Sequence, residues 1–169
     1  MHHPLYRLSV PGFIRGLGVL SGYLQKAEAF ATEKGIDPKT LVEARLAPDM
    51  LSLAGQVQRA SDTSKGSIVR LTGVAAPRFE DNEASIAELR QRIAKSLAFI
   101  DTVDPAAFEG SERREITLSF PTLKATFNGE DYLLKFALPN FYFHLATAHA
   151  ILRQQGLAIG KTDYLGDFA

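Results

Sequence analysis

Residues 138–156 read LPNFYFHLATAHAILRQQG, and whether this stretch is helical decides the fold. As far as Leu152 it is apolar except for a few hydroxyls and the polar residues Asn140, His144 and His149, and it ends in Arg153, Gln154 and Gln155 before Gly156. At about 100° per residue, Asn140 and His144 lie about 40° apart, one turn from each other on one face. Thr147 and Ile151 continue that face, which looks inward in most of its other residues. His149 lies about 140° from His144, so the two imidazoles cannot chelate one ion from a regular helix. The helix is predicted to run from about Gly129 to Gln155, to kink at Pro139 and to stop at Gly156.

Upstream, the period changes. EITLSF alternates Ile116, Leu118 and Phe120 with polar partners, and LKATFN does the same with Leu123, Ala125 and Phe127. Pro121 and Thr122 separate the two runs, which predicts a short hairpin. Three further amphipathic helices precede it. The first, Ser9 to Lys34, carries Phe13, Leu17, Leu20, Leu24, Ala27 and Ala31 at spacings of three and four, with Pro11 in its first turn and Gly35 as its stop. Gly16, Gly18 and Gly22 follow no strand and have the wrong spacing for a phosphate loop, so they read as points of close helix approach. Asp37-Pro38 caps a short helix, KTLVEARL. The next long helix is predicted from Pro48 to Leu71 with Asp49 in its first turn, where Arg45 would pair with it locally. After a break at Gly73 to Pro77, Asp81 or Asn82 would cap a helix reaching Val103, with Ile86, Leu89, Ile93, Leu97 and Ile100 on its stripe. The tail GKTDYLGDFA is too short to assign.

Four long amphipathic helices with a hairpin before the last predict an all-α four-helix bundle, in one domain over residues 1–169. A chain of 169 residues is large enough to bury a core without staples. Lys plus Arg equals Asp plus Glu at 19 each, so no long-range field favours nucleic acid or an anionic membrane. There is no cysteine, which removes disulfides, thiolate nucleophiles and Cys-based zinc sites. No segment reads as a secretory signal or as a membrane span, and the expectation is a cytoplasmic protein. His2 and His3 are too few for a metal tract.

A site in a bundle is built from side chains that face one another across neighbouring helices. In DMLSLAGQVQRASD, Asp49, Leu53, Gln56 and Ala60 form one stripe, so Gln56 is predicted to point inward while Gln58 and Arg59 point elsewhere. Gln56, Asn140 and His144 are thus expected to converge. One imidazole and two amides make a poor zinc site, which disfavours a divalent metal and favours an uncharged or weakly held ligand. If the site is catalytic, His144 is the general-base candidate, since its ordinary pKa is near neutral. Asn140 and Gln56 would orient a carbonyl or water, and Tyr142 or Tyr132 would line the mouth. The competing reading makes the same three residues satisfied members of a structural core. His149 and the aromatic run KFALPNFYF read as core or interface, with no basic flank for nucleic-acid stacking.

LYRLSVPGFIRGLGVLSGYLQKAEAFA, ARLAPDMLSLAGQVQRASD, and LPNFYFHLATAHAILRQQG followed by KTDYLG resemble a family of unknown function within the DinB-like clan, over nearly the whole chain. The resemblance implies a four-helix bundle, often a homodimer, whose better-known relatives hold a divalent metal on three histidines. Two of these form a His-x3-His pair on the last helix, and the third comes from the second. Asn140 and His144 fall at the pair and Gln56 near the third, so this sequence departs at two of three ligands. The metal-dependent transferase or isomerase chemistry of the clan is therefore the least favoured reading. A small-molecule site at the old metal position is favoured, and a non-catalytic dimeric bundle is its rival.

Overall fold

The computed structural model describes residues 3–166. His2 and the last three residues of the tail, both noted above, lie outside that range. The described chain is a helical bundle with one hairpin, in which α1 (Pro4–Lys34), α3 (Leu53–Thr72), α4 (Ile86–Asp101) and α6 (Leu138–Gln154) are the four long members. α1 packs on α4 and α6, and α3 packs on the same two, so α1 and α3 stand diagonally across the core. The short α2 (Pro38–Glu43) makes that crossing, with Leu41 and Val42 buried and Asp37 capping it at the Lys39 N–H. No helix among the described residues is long and apolar enough to cross a membrane.

The long elements form as their periodicity requires, and their ends differ from expectation for local reasons. α1 begins at Pro4, where a missing N–H costs nothing, so Pro11 lies inside the helix on an exposed position. It ends at Gly35, whose φ of 65° lets its N–H cap the carbonyls of Ala31 and Thr32. α3 starts at Leu53 and not at Pro48, because Ser52 is the residue whose hydroxyl accepts from an N–H of the first turn, that of Gly55. Asp49 therefore lies in the turn before the helix, and the Arg45 guanidinium donates to the Met50 carbonyl instead of pairing with Asp49. α4 is capped by a Ser85–Glu88 capping box, which frees Asp81 for other partners.

Of the three glycines read as points of close approach, only Gly16 is one. A Cβ there would lie 2.5 Å from the Phe141 ring, whereas Gly18 and Gly22 have nothing within 4 Å. α3 achieves its closeness to α4 and α6 differently, through the buried small residues Ala60, Ser61, Ser64 and Ser67. Their hydroxyls are satisfied within the helix or across it, as in the 2.8 Å contact between Ser61 and Ser96.

The hairpin pairs β1 (Ile116–Phe120) with β2 (Leu123–Phe127) in the register Phe120↔Leu123, so Pro121 and Thr122 are its two-residue turn. Ile116 and Leu118 are buried, and the alternation places Phe120 on their face at the tip. The chain then enters α5 (Gly129–Tyr132) and a turn of π-helix at Leu133–Ala137 before α6. Pro139 was expected to kink a single helix. Its ring crowds the carbonyl one turn back and it has no N–H to continue the ladder. The chain answers with the wider turn, in which the Leu138 N–H reaches five residues back to Leu133.

Candidate functional site

The π-turn and the hairpin tip meet over the face of α3 that carries Arg59, Thr63, Gly66 and Arg70, at steps of four, three and four. Between them lies a cavity of about 420 Å³, in the range of small-molecule sites. Arg59, Asp62, Thr63 and Arg70 from α3 form one wall. Asn140 and His144 from α6 form another, and Phe120, Tyr132 and Phe136 close the third.

Asn140 and His144 do open onto one cavity, and Gln56 does reach His144, but the three are not equivalent. The Gln56 Nε2 donates to the Leu51 carbonyl at 3.1 Å. A carbonyl can only accept, so the amide oxygen must face the other way, where it meets His144 Nδ1 at 2.8 Å. Nδ1 is consequently the protonated nitrogen. Burial, with the Arg59 charge adding to it, pushes the imidazole down from its ordinary 6.5 to about 4. At neutral pH the ring is uncharged, with Nε2 a bare acceptor. Nε2 has no protein partner among the described residues and is not sealed from solvent, so its lone pair opens on the cavity. Gln56 stands behind His144 as an orienting residue and does not line the cavity.

Asn140 donates through Nδ2 to the Thr63 hydroxyl at 2.8 Å, which leaves its Oδ1 as a second acceptor. Tyr132 is buried in the cavity wall and its hydroxyl lies 3.2 Å from that of Ser67. Tyr142, placed at the mouth by sequence, lies elsewhere. Two residues from Asn140 on the helix, it turns toward α1, where its hydroxyl would lie 3.0 Å from a Cβ at Gly12.

Sequence reasoning missed most of the α3 wall. Arg59 was expected to point away, yet it reaches the cavity rim, where it pairs with Asp62 at 3.2 Å and with Asp81. Asp62 also meets Arg92 at 2.8 Å. Arg92 is 2% exposed, and although burial works against its charge, the hydrogen bond to Glu83 and the carboxylates of Asp62, Glu83 and Asp81 hold its pKa up. The recurrence of Arg59, Thr63 and Arg70 on one α3 face was the available signal.

The family resemblance drawn from the sequence implies a divalent metal at this position, and the donor chemistry here does not suit one. Gln56 has spent its oxygen on His144, Asn140 offers a neutral amide oxygen, and Asp62 is engaged by Arg59 and Arg92. What is left for an ion is one imidazole nitrogen and one amide oxygen, both uncharged. Among the described residues no group of three His, Asp or Glu side chains assembles as a metal site.

A family model described as a domain of unknown function (DUF1993) matches residues 5–165. The chain belongs to this family. Among solved structures, a DinB family member protein from Shewanella denitrificans is 41% identical, with 97% of this chain and 93% of that one covered and a TM-score of 0.89. No curated protein matches the chain. This DUF1993 protein is thus a DinB-like helical bundle.

Proposed function

We propose that the cavity between α3, α6 and the hairpin binds a small organic molecule, with His144 as a neutral hydrogen-bond acceptor in place of a metal ligand. One observation carries this reading: Gln56, pinned by the Leu51 carbonyl, fixes His144 with its Nε2 lone pair open to a cavity of about 420 Å³. A histidine that only filled a core position would have both nitrogens satisfied or covered. Asn140 Oδ1 and the Thr63 hydroxyl add polar contacts beside it, and Phe120, Tyr132 and Phe136 supply apolar surface. An imidazole held at about 4 is a weak base at neutral pH, so this geometry supports recognition better than proton abstraction.

The test is a fragment screen by NMR on protein with 15N-labelled histidine. The His144 ring nitrogens should report the Nδ1–H tautomer at neutral pH. Fragments with an O–H or N–H donor should shift Nε2, and His144→Ala should weaken them about tenfold. The other tautomer in the free protein, or fragment affinities unchanged in the variant, would overturn the reading.

A further inference from the structure

The chemical class of the ligand follows from the charges around the cavity, once the cavity is taken as a binding site as proposed above. Arg59, Lys65 and Arg92 face Asp62, Asp81 and Glu83 in a single network. Three cations meet three carboxylates, so that network is neutral. Phe79 covers it, with Lys65 Nζ 3.7 Å from its ring centroid, and Lys65 also donates to the Pro77 carbonyl.

Arg70 stands outside this balance. It lines the cavity and has no carboxylate partner among the described residues. Its position is built. A Cβ at Gly66 would lie 2.7 Å from Arg70 Nη1, so the glycine leaves room for the guanidinium to fold back along α3. It rests 6.0 Å from the centroid of Tyr132. Tyr132 stacks on Phe136 at 5.9 Å, and Phe136 stacks on Phe120 at 6.4 Å. Phe120, at the hairpin tip, is 41% exposed.

The cavity is therefore polarised along α3. At one end is an unpaired guanidinium beside three stacked rings, and at the other the bare Nε2 of His144. A rise of about 1.5 Å per residue puts Arg59, at the His144 end, about 10 Å from Gly66, where the Arg70 head lies. We infer that the ligand is a small aromatic carboxylate with a hydroxyl or amine at the opposite end. The carboxylate pairs with Arg70, the ring lies against the Tyr132–Phe136–Phe120 wall, and the donor reaches His144 Nε2. An arginine fork suits a planar carboxylate in two parallel hydrogen bonds.

The experiment titrates 4-hydroxybenzoate and its neutral isostere 4-hydroxybenzamide into the full chain, following the His144 ring nitrogens. The acid should bind about tenfold more tightly than the amide, the scale of a charge-assisted hydrogen bond. Arg70→Gln should bring the acid down to the amide, and Arg70→Lys should restore part of the difference. Equal binding of the two, or a preference that survives Arg70→Gln, overturns the anion assignment while the cavity remains a binding site. If neither probe shifts His144 at millimolar concentration, both the assignment and the binding reading fall.

Discussion

Helix α6 carries two histidines five residues apart, and they have opposite fates. Both are depressed below their ordinary pKa, mainly by burial. Both use Nδ1 for one hydrogen bond, His144 to Gln56 at 2.8 Å and His149 to Tyr23 at 2.7 Å. The partners differ in kind. The Gln56 amide is locked by Leu51 and can only accept from His144, so it dictates the tautomer. The Tyr23 hydroxyl rotates and can donate or accept, so it dictates nothing. The surroundings differ as well. His144 opens on a cavity with two arginines and three aromatic rings, whereas His149 lies edge-on to Tyr164, 5.9 Å between centroids, in the seam with α1 and α7 (Lys161–Leu165). A buried histidine becomes a site candidate when a rigid partner fixes one nitrogen and the other is left without work.

The sharpest way to break that contrast is to remove the rigid partner. Gln56→Leu keeps the volume but deletes both hydrogen bonds; the carbonyl of the exposed Leu51 can turn to water, but the Nδ1–H of the buried His144 loses its partner. One buried donor left unpaired, with a second hydrogen bond lost, should cost about 2–3 kcal/mol of stability, measured by urea unfolding. The His144 ring should also lose its fixed tautomer in the nitrogen spectrum. A variant within about 0.5 kcal/mol of the parent, with the tautomer unchanged, would mean that Gln56 does not orient His144.

How far the site was legible in the sequence follows from the same residues. The bundle and the hairpin were readable because each element carries its own period, 3.6 or 2; the Phe120↔Leu123 register was not, since Pro121-Thr122 is not the preferred two-residue turn chemistry. The inward faces of Gln56, Asn140 and His144 were readable from the helical period. What could not be read was direction at the end of a long side chain. Arg59 and Arg70 reach the cavity through several rotatable bonds, one held by Asp62 and Asp81 and the other let in by Gly66. The π-turn was hidden too, since periodicity carries no sign of a single extra residue per turn. Tyr142, expected at the mouth, lies elsewhere because two positions from Asn140 along a helix put it on the far side.

Acid separates the two histidines next. The folded-state pKa of His144 is lowered, so its contribution to stability is fully present above its unfolded value of 6.5 and is lost as pH falls toward about 4. The loss is on the order of 2 kcal/mol, reduced from the full shift because the ring edge meets the cavity. Thermal midpoints of the parent and His144→Gln, measured between these pH values, should converge as the pH drops, since the variant has no imidazole to protonate. His149→Gln should flatten the profile in the same direction but by less, as His149 is the less buried of the two. Carboxylates that titrate in this window cancel between parent and variant. A pH profile that responds more to His149 than to His144 would reverse the assignment of which ring is held neutral.

The smallest effect sharpens the comparison from the other side. Tyr23→Phe removes one hydroxyl and nothing else, leaving the ring packed in the core where Tyr23 is 2% exposed. His149 is only partly buried, so its Nδ1 can recover a partner from water, and the cost should be about 1 kcal/mol. Burial, followed by the charges of Asp163 and Tyr164, raises the Tyr23 pKa, so the phenol stays protonated and no charge is lost with it. The His149 nitrogen signals should move while those of His144 stay in place, because the two rings point about 140° apart on α6 and share no hydrogen-bond partner. Fragment affinities at the α3 cavity should be unchanged. If Tyr23→Phe altered them, the faces of α6 would be coupled through the helix, and the cavity would be responding to the seam with α1 and not only to Gln56.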